Sequence, residues 1–479
     1  KYLLMKKFHE VYVFSYLLEQ NQYDLMMDNF LKIGEEMYGL IEGLFPICRS
    51  ITGNGTRKTL KIISDLIPLD IHEIPSGSHV FDWTIPKEWN IKDAYIKSPT
   101  GEKLIDFKES NLHVLYYSIP VHKKISLSEL KNHIFTQPDR PKDIPYRTSY
   151  YSEKWGFCMS HEQFLKLEDG NYEVLIDSEL KPGSLTYGEC YFKGKSDAEV
   201  LFSCYICHPS MCNDSLSGIV TAIELAKYIA NLKQKLNYSY RFLFIPETIG
   251  SITWLSHNQQ QIKKIKHGLI ITCTGDLGPL TYKKSRQGNA EIDETVIDVL
   301  KKSGEDFSVL DFFPFGSDER QYCSPGIDLT IGCLTRTMPT KFPEYHTSAD
   351  NLTYVHPSSL VKTLKTYTKI IEKLENNFGK FSIKQNKIRK TKKTSSEDPV
   401  FLNLVKCEPQ LGKREIYHKL GGPNPIFEEI KEKAIMWILA FSDGTNSIMD
   451  IEKKSNIDFD TLIEASNLLC EKKLIKELK

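Results

Sequence analysis

The 479-residue sequence predicts an α/β core, interrupted by a mostly β insertion and followed by a small helical module. Three observations carry that expectation. Apolar, β-branched runs alternate with helix-period segments through the middle of the chain, the pattern of a sheet flanked by helices. Between about residues 75 and 150 helical periodicity is scarce, and Pro, Trp, Tyr and short alternating runs replace it. Past Phe381 the polar, basic stretch KQNKIRKTKKTSSEDP reads as a linker or exposed excursion, and three helical segments close the chain. The core is therefore expected over residues 25–74 and 151–380, the insertion over 75–150, and the terminal module over 395–479.

Taken in order, Lys1 to Asp24 reads as an extension, since Met26 or Met27 would make a plausible start. DNFLKIGEEMYGLIEGLFPI then sets Phe30, Ile33, Met37, Leu40, Ile41 and Leu44 at helical spacing, which predicts the first core helix. CRSITGNGTRKTLKIISDLI is a Gly-rich turn and a second helix from about Thr56. GNGT lacks the Lys and the spacing of a phosphate loop, so Arg49 and Arg57 are expected in packing. NLHVLYYSIPVH typifies the insertion. Tyr172 to Gly194 is expected to return to the core as strands, with βα units following to about Glu375.

Composition excludes several classes. Lys plus Arg and Asp plus Glu both number 62, so global charge points neither to nucleic acid nor to acidic lipid. Eleven cysteines without regular spacing make no disulfide framework. Cys204 and Cys207 form a CxxC, but Cys204 falls inside an expected strand, where burial explains it better than redox chemistry. No run approaches the roughly 18 apolar residues of a membrane span. VYVFSYLL is too short for a signal peptide and no small-residue cleavage site follows, so a reducing cytoplasm is the expected compartment.

The chemistry concentrates at CHPSMCNDSLSG, Cys207 to Gly218. A buried strand, EVLFSCYI, runs into it, and GIVTAIELAKYIANL leaves it with Ile219, Ala222, Ile223, Ala226 and Ile229 at helical spacing. Ligands of open α/β sheets sit at the carboxyl ends of strands, which is where His208 and Asp214 fall. Glu247 follows the apolar run Phe242 to Ile245, Asp276 follows Leu269 to Thr272, and His346 lies in the polar turn EYHTSADN. Two imidazoles and three carboxylates on one rim suit two zinc ions, with a single ion as the alternative.

At these residues the sequence resembles the co-catalytic zinc aminopeptidases of the bacterial leucyl aminopeptidase and aminopeptidase Y type. The resemblance runs through His208, NDSLSG with Asp214, PETIGS with Glu247, TGD with Asp276, YHTSADN with His346, and GSDERQYCSPGI, over about residues 195 to 375. It implies a zinc-exopeptidase-like mixed sheet flanked by helices. It also implies that Asp214 bridges two zincs, that His208 and Asp276 hold one and His346 the other, and that Glu247 acts as general base. More closely, the whole chain resembles uncharacterised bacterial proteins with an inserted domain and a winged helix, often encoded near surface-polysaccharide biosynthesis genes. Insertions in related peptidases restrict access to the metals, so a lid is one expectation for residues 75–150, and a dimerisation or spacer module the other.

Two departures qualify the resemblance. The family's paired glutamates are reduced to Glu247 between Pro246 and Thr248, so that residue serves as base or as ligand. Glu319 stands where the family has a histidine, as a candidate carboxylate for the metals. The expected activity is zinc-dependent hydrolysis of an N-terminal peptide bond or related amide, with a peptide or small amide as substrate and no organic cofactor. The alternatives are a metal-bearing sensor without turnover and a DNA-binding regulator. The last is disfavoured because the third helix of the terminal module, whose order resembles a winged helix, begins with Asp458 and Asp460 and carries Glu464. A protein partner or self-association through that module or the insertion is expected instead.

Overall fold

The computed structural model describes residues 31–232, 236–380, 394–395, 397–416 and 430–478. The extension, both candidate start methionines and most of the basic linker lie outside them. At the centre is an eight-stranded mixed sheet. Its strands are β1 (Asp70–Pro75), β2 (Ser184–Phe192), β3 (Glu199–Tyr205), β4 (Ser239–Ile245), β5 (Ile265–Ile271), β6 (Leu280–Lys283), β7 (Phe307–Leu310) and β8 (Ile331–Thr335). Their spatial order is β1-β2-β4-β3-β5-β8-β6-β7. The block β4-β3-β5-β8 is parallel, and β2 and β6 join it antiparallel on either side. Every residue of β3 and β4 is buried, as a strand covered by helices on both faces requires.

One face is packed by the helix over residues 31–44, Asn54–Ser64, Gly218–Asn231, Glu291–Lys301 and Pro357–Asn377, through one apolar cluster that includes Met37, Leu60, Ile219, Ile223, Val296 and Ile370. The apolar cluster on the other face runs without a break from Trp254 and Tyr322 of the core into the insertion at Trp89 and Tyr116 and into the terminal module at Trp437 and Leu439. Burial of that shared surface holds the three parts together.

The insertion is a four-stranded antiparallel sheet in the order Lys103–Asp106, Glu88–Lys97, Asn171–Lys181, Val121–Ser126. Its longest strand lies beyond residue 150, where the insertion was expected to end. Residues 171–181 alternate buried and exposed, with Tyr172, Val174, Ile176 and Ser178 inward. That is the texture of a half-covered antiparallel sheet rather than of a core strand. Only Ser184–Phe192 of the returning stretch joins the central sheet.

The terminal module has helices Ile430–Phe441, Ile448–Ser455 and Phe459–Glu471. Its three-stranded antiparallel sheet has Val400–Asn403 in the middle, flanked by Asp443–Ser447 and Ile475–Glu477.

Candidate metal centre

The parallel block delivers the polar turns to one rim. Tyr205 closes β3, and the chain turns through His208 into a kinked six-residue turn, Cys212–Ser217, where Asp214 has non-helical dihedrals of −111° and 80°. Gly218 then opens the helix because the backbone of β5 passes close by: a Cβ there would lie 2.5 Å from the Ile271 carbonyl oxygen. Asp350 fixes the turn, its two oxygens accepting the backbone N–H groups of Asn213 (2.7 Å) and Asp214 (2.9 Å). Arg49, fully buried, donates from Nε to the His208 carbonyl at 3.0 Å. Arg57 pairs with Glu88 and Glu73 instead, tying the second helix to the insertion.

His208, Asp214 and His346 each offer a ligand atom within 4.8 Å of the other two. Asp214 Oδ2 and His346 Nε2 are both buried, lie 3.0 Å apart and face only each other. Buried polar atoms are otherwise almost always satisfied, so this pair fits a cation held between them. Two imidazoles and one carboxylate are one of the usual catalytic zinc sets, a donor set that non-haem iron sites share. Burial pushes the His208 imidazole down to about 4, which keeps it in the neutral, ligating form. Burial pulls the Asp214 carboxyl upward, but the two imidazoles and the Tyr205 hydroxyl outweigh it and hold the group at about 2.

Glu247 stands beside this triad, with Oε2 3.8 Å from His208 Nε2. Its backbone N–H donates to Cys207 Sγ at 3.2 Å, so Cys207 of the CxxC is a hydrogen-bond acceptor, and all eleven cysteines are free thiols. Burial and the Asp318 carboxylate push the Glu247 carboxyl well above its ordinary range.

Asp276 is not part of the cluster. Its carboxylate accepts from Asn213 Nδ2 (3.0 Å), Gly278 N (2.7 Å), Thr337 N (3.2 Å) and Thr337 Oγ1 (2.6 Å). All of its acceptor capacity is taken up in joining three loops. Glu319 does not reach the cluster either; it is wholly buried against Lys283, a pairing between residues far apart in sequence. Lys283 ends β6, and Arg286 in the turn that follows binds Asp443 and the Ala440 carbonyl of the terminal module.

Two tyrosines were missed by the sequence reading. Tyr205 donates its hydroxyl to Asp214 Oδ1 and accepts from Thr272 Oγ1 at 2.6 Å. Tyr146, from the insertion, lies over both imidazoles, with ring centroids 5.6 Å from His208 and 5.3 Å from His346. Its backbone N–H donates to the His346 carbonyl at 2.8 Å, and Ile144 exchanges hydrogen bonds with Ser348. The insertion therefore lies against the centre through this pair of segments, joined by one isolated antiparallel bridge, Pro145 opposite Thr347. Asp350 had a sequence signal, in the SADN that follows His346; Tyr146 had none.

Fold and site together define an aminopeptidase-like α/β protein carrying an insertion and a winged helix. A zinc aminopeptidase from Bacillus subtilis has this fold at 12% identity, with a TM-score of 0.52 over 71% of this chain and 94% of that one. A family model described as "Domain of unknown function (DUF4910)" matches residues 38–377, and a winged helix-turn-helix model matches 399–477. The chain belongs to the former family. A Clostridium acetobutylicum protein named "Putative polysaccharide biosynthesis protein with aminopeptidase-like domain" is 51% identical over 460 residues, 96% of this chain and 99% of that protein. The crystal structure of a "putative peptidase" from Clostridium acetobutylicum matches with a TM-score of 0.72 at 50% identity, over 96% of this chain and 99% of that one.

Proposed function

We propose that the chain is a zinc-dependent amide hydrolase of the aminopeptidase type, with one ion held by His208, Asp214 and His346 and with Glu247 as general base. The convergence of three ligand atoms, with buried Asp214 Oδ2 and His346 Nε2 facing only each other, carries this reading. We read one ion rather than two because, among the described residues, no second set of ligand atoms gathers: Asp276 accepts four hydrogen bonds and Asp214 Oδ1 is engaged by Tyr205.

Bound in this triad, zinc supplies Lewis acidity, which acidifies water and polarises an amide carbonyl. Glu247 Oε2, beside His208, takes the proton released as water attacks the amide carbon and passes it to the departing amine. Tyr205 and Asp350 hold Asp214 in place, Arg49 holds the His208 backbone, and Tyr146 screens both imidazoles from solvent. The name of the Clostridium relative brings polysaccharide biosynthesis into view, so amino-sugar amides join aminoacyl amides as candidate substrates. The third helix of the terminal module exposes Asp460, Glu464 and Glu471, which would repel a phosphate backbone. We therefore read that module as a docking element rather than a DNA reader.

The test is metal analysis and hydrolysis by wild type and Glu247→Gln over both substrate classes. About one zinc per chain is expected in each protein, with turnover in the wild type and a loss of about 10²- to 10⁴-fold in the variant. A zinc-loaded wild type that binds these amides without cleaving them would replace the hydrolase with a metal-bearing sensor.

A further inference from the structure

Thr248, next to Glu247, has φ 62° and ψ −74°. A β-branched residue rarely enters that region. The N–H of Ile249 donates to the Glu247 carbonyl at 2.7 Å, so residues 247–249 form a strained γ-turn. Strain of this kind persists only where the surroundings over-determine the conformation. Here two side chains do so: Asp318 Oδ1 accepts the Thr248 N–H at 2.7 Å, and Arg320 donates from Nη2 to Thr248 Oγ1 at 3.1 Å.

Arg320 is held in turn from outside the core. Its Nε lies 3.0 Å from Glu408 Oε2, a charge contact without hydrogen-bond geometry, in the segment between Val400–Asn403 and the terminal helices. Glu408 is fixed at three further points. Its N–H donates to Gln321 Oε1 at 2.8 Å, its Oε2 accepts from Gln321 Nε2 at 3.1 Å, and its carbonyl accepts from Trp83 Nε1 of the insertion at 2.7 Å. Beside it, the Cys407 N–H donates to Ser324 Oγ at 3.1 Å. The short helix Glu319–Tyr322 is thus gripped by the C-terminal segment on one side and holds the Glu247 turn on the other.

From this chain of contacts we infer that Glu408 and Arg320 are positioning residues for Glu247: the C-terminal segment completes the site by clamping the strained turn that aims the base. The inference rests on the proposed role of Glu247, but the turn itself can be observed without turnover. A purely structural tie between domains would leave the turn intact when cut.

Crystal structures of the full-length chain as wild type, Glu408→Ala and Arg320→Lys decide between the two. Thr248 is expected to leave the left-handed region in both variants, with the Glu247 carboxylate withdrawing from His208 by about 1 Å or more, a displacement able to cost about 10²-fold in rate. Zinc content should stay at the wild-type value, because neither residue is among the ligands. With a cleavable amide, kcat should fall while KM holds, and Glu408→Asp, which keeps a negative charge opposite Arg320, should recover part of the loss. An unchanged turn in the variants overturns the inference whether or not the wild type is active. If the wild type proves inactive while the turn relaxes as described, only the hydrolase reading falls. Should Glu408→Ala fail to fold, Arg320→Lys, which leaves the backbone contacts of Glu408 in place, gives the same readout.

Discussion

Asp214 and Asp276 follow neighbouring parallel strands, β3 and β5, and both are buried. One oxygen of Asp214 faces only the imidazole of His346, whereas four donors converge on Asp276. A free oxygen is not enough, since buried Glu319 Oε2 also lacks a hydrogen bond; what sets Asp214 apart is that its free oxygen meets the ligand atoms of two imidazoles. The difference arises from Asn213 and Thr337, which turn their donors to Asp276 and leave Asp214 to Tyr205 and the imidazoles.

The largest test of this comparison is Asp214→Ala. It removes one of three ligands and should abolish stoichiometric zinc binding, read by mass spectrometry of the purified protein, and with it any hydrolysis. Two zincs per wild-type chain, the second lost in an Asp276 variant, would break the comparison outright.

The Asp214 side should also carry a pH dependence in metal-free protein. His208 is held at about 4 by burial, below its ordinary 6.5. Between those values the unfolded chain binds the proton that the folded chain refuses, so stability rises with pH through the window and is lost on acidification from about 6.5 towards 4. A full shift of this size is worth on the order of 3 kcal/mol. Asp214, held at about 2, keeps its contribution throughout and loses it only below the ordinary carboxyl range. His267 of β5 is also pushed down by burial to about 4 and His113 is lowered too, whereas Asp350 and Asp318, raised by burial to about 8 and about 7, keep protons that the unfolded chain releases and tilt the slope the other way. Urea unfolding of chelated wild type and His208→Gln at pH 7 and pH 4.5 isolates the His208 share, and the variant should gain less stability between the two pH values than the wild type. An unchanged slope in that variant would place the titration elsewhere.

A smaller effect is expected at the other carboxylate. Asp276→Asn sets an amide donor against groups that are themselves donors, Thr337 N and Asn213 Nδ2 among them. It should cost about 1–3 kcal/mol of stability and leave zinc content unchanged.

How much of this was legible in the sequence follows from the range of the contacts involved. The βα units were, because an apolar run such as Phe242 to Ile245 and the spacing of Ile219, Ala222, Ile223 and Ala226 are local signals. The turns with His208, Asp214, Glu247 and His346 were legible as motifs. The roles of Asp276 and Glu319 were not, because Thr337 and Lys283 meet them only through folding. The pairing of Asn171–Lys181 with Glu88–Lys97 was hidden for a similar reason, since it joins segments far apart in the chain. Nothing near His208 in sequence announces that Tyr146 and Glu408 come from other parts of the chain to complete its surroundings.

The finest test is Tyr205→Phe. The hydroxyl occupies Asp214 Oδ1, the oxygen that a bridging role would need. Removing it frees that oxygen and also removes a group that orients the ligand, and loss of such a partner lowers metal affinity by about 10- to 100-fold. If the one-ion reading is right, affinity should fall at the lower end of that range while zinc stays at about one per chain, because Asp276 remains hydrogen-bonded and Thr248 supplies no carboxylate. Metal titration with a competing chelator measures both quantities at once. A rise towards two zincs would mean that Tyr205 alone withholds the second site, and that the contrast between the two carboxylates depends on one hydroxyl rather than on the donors around Asp276.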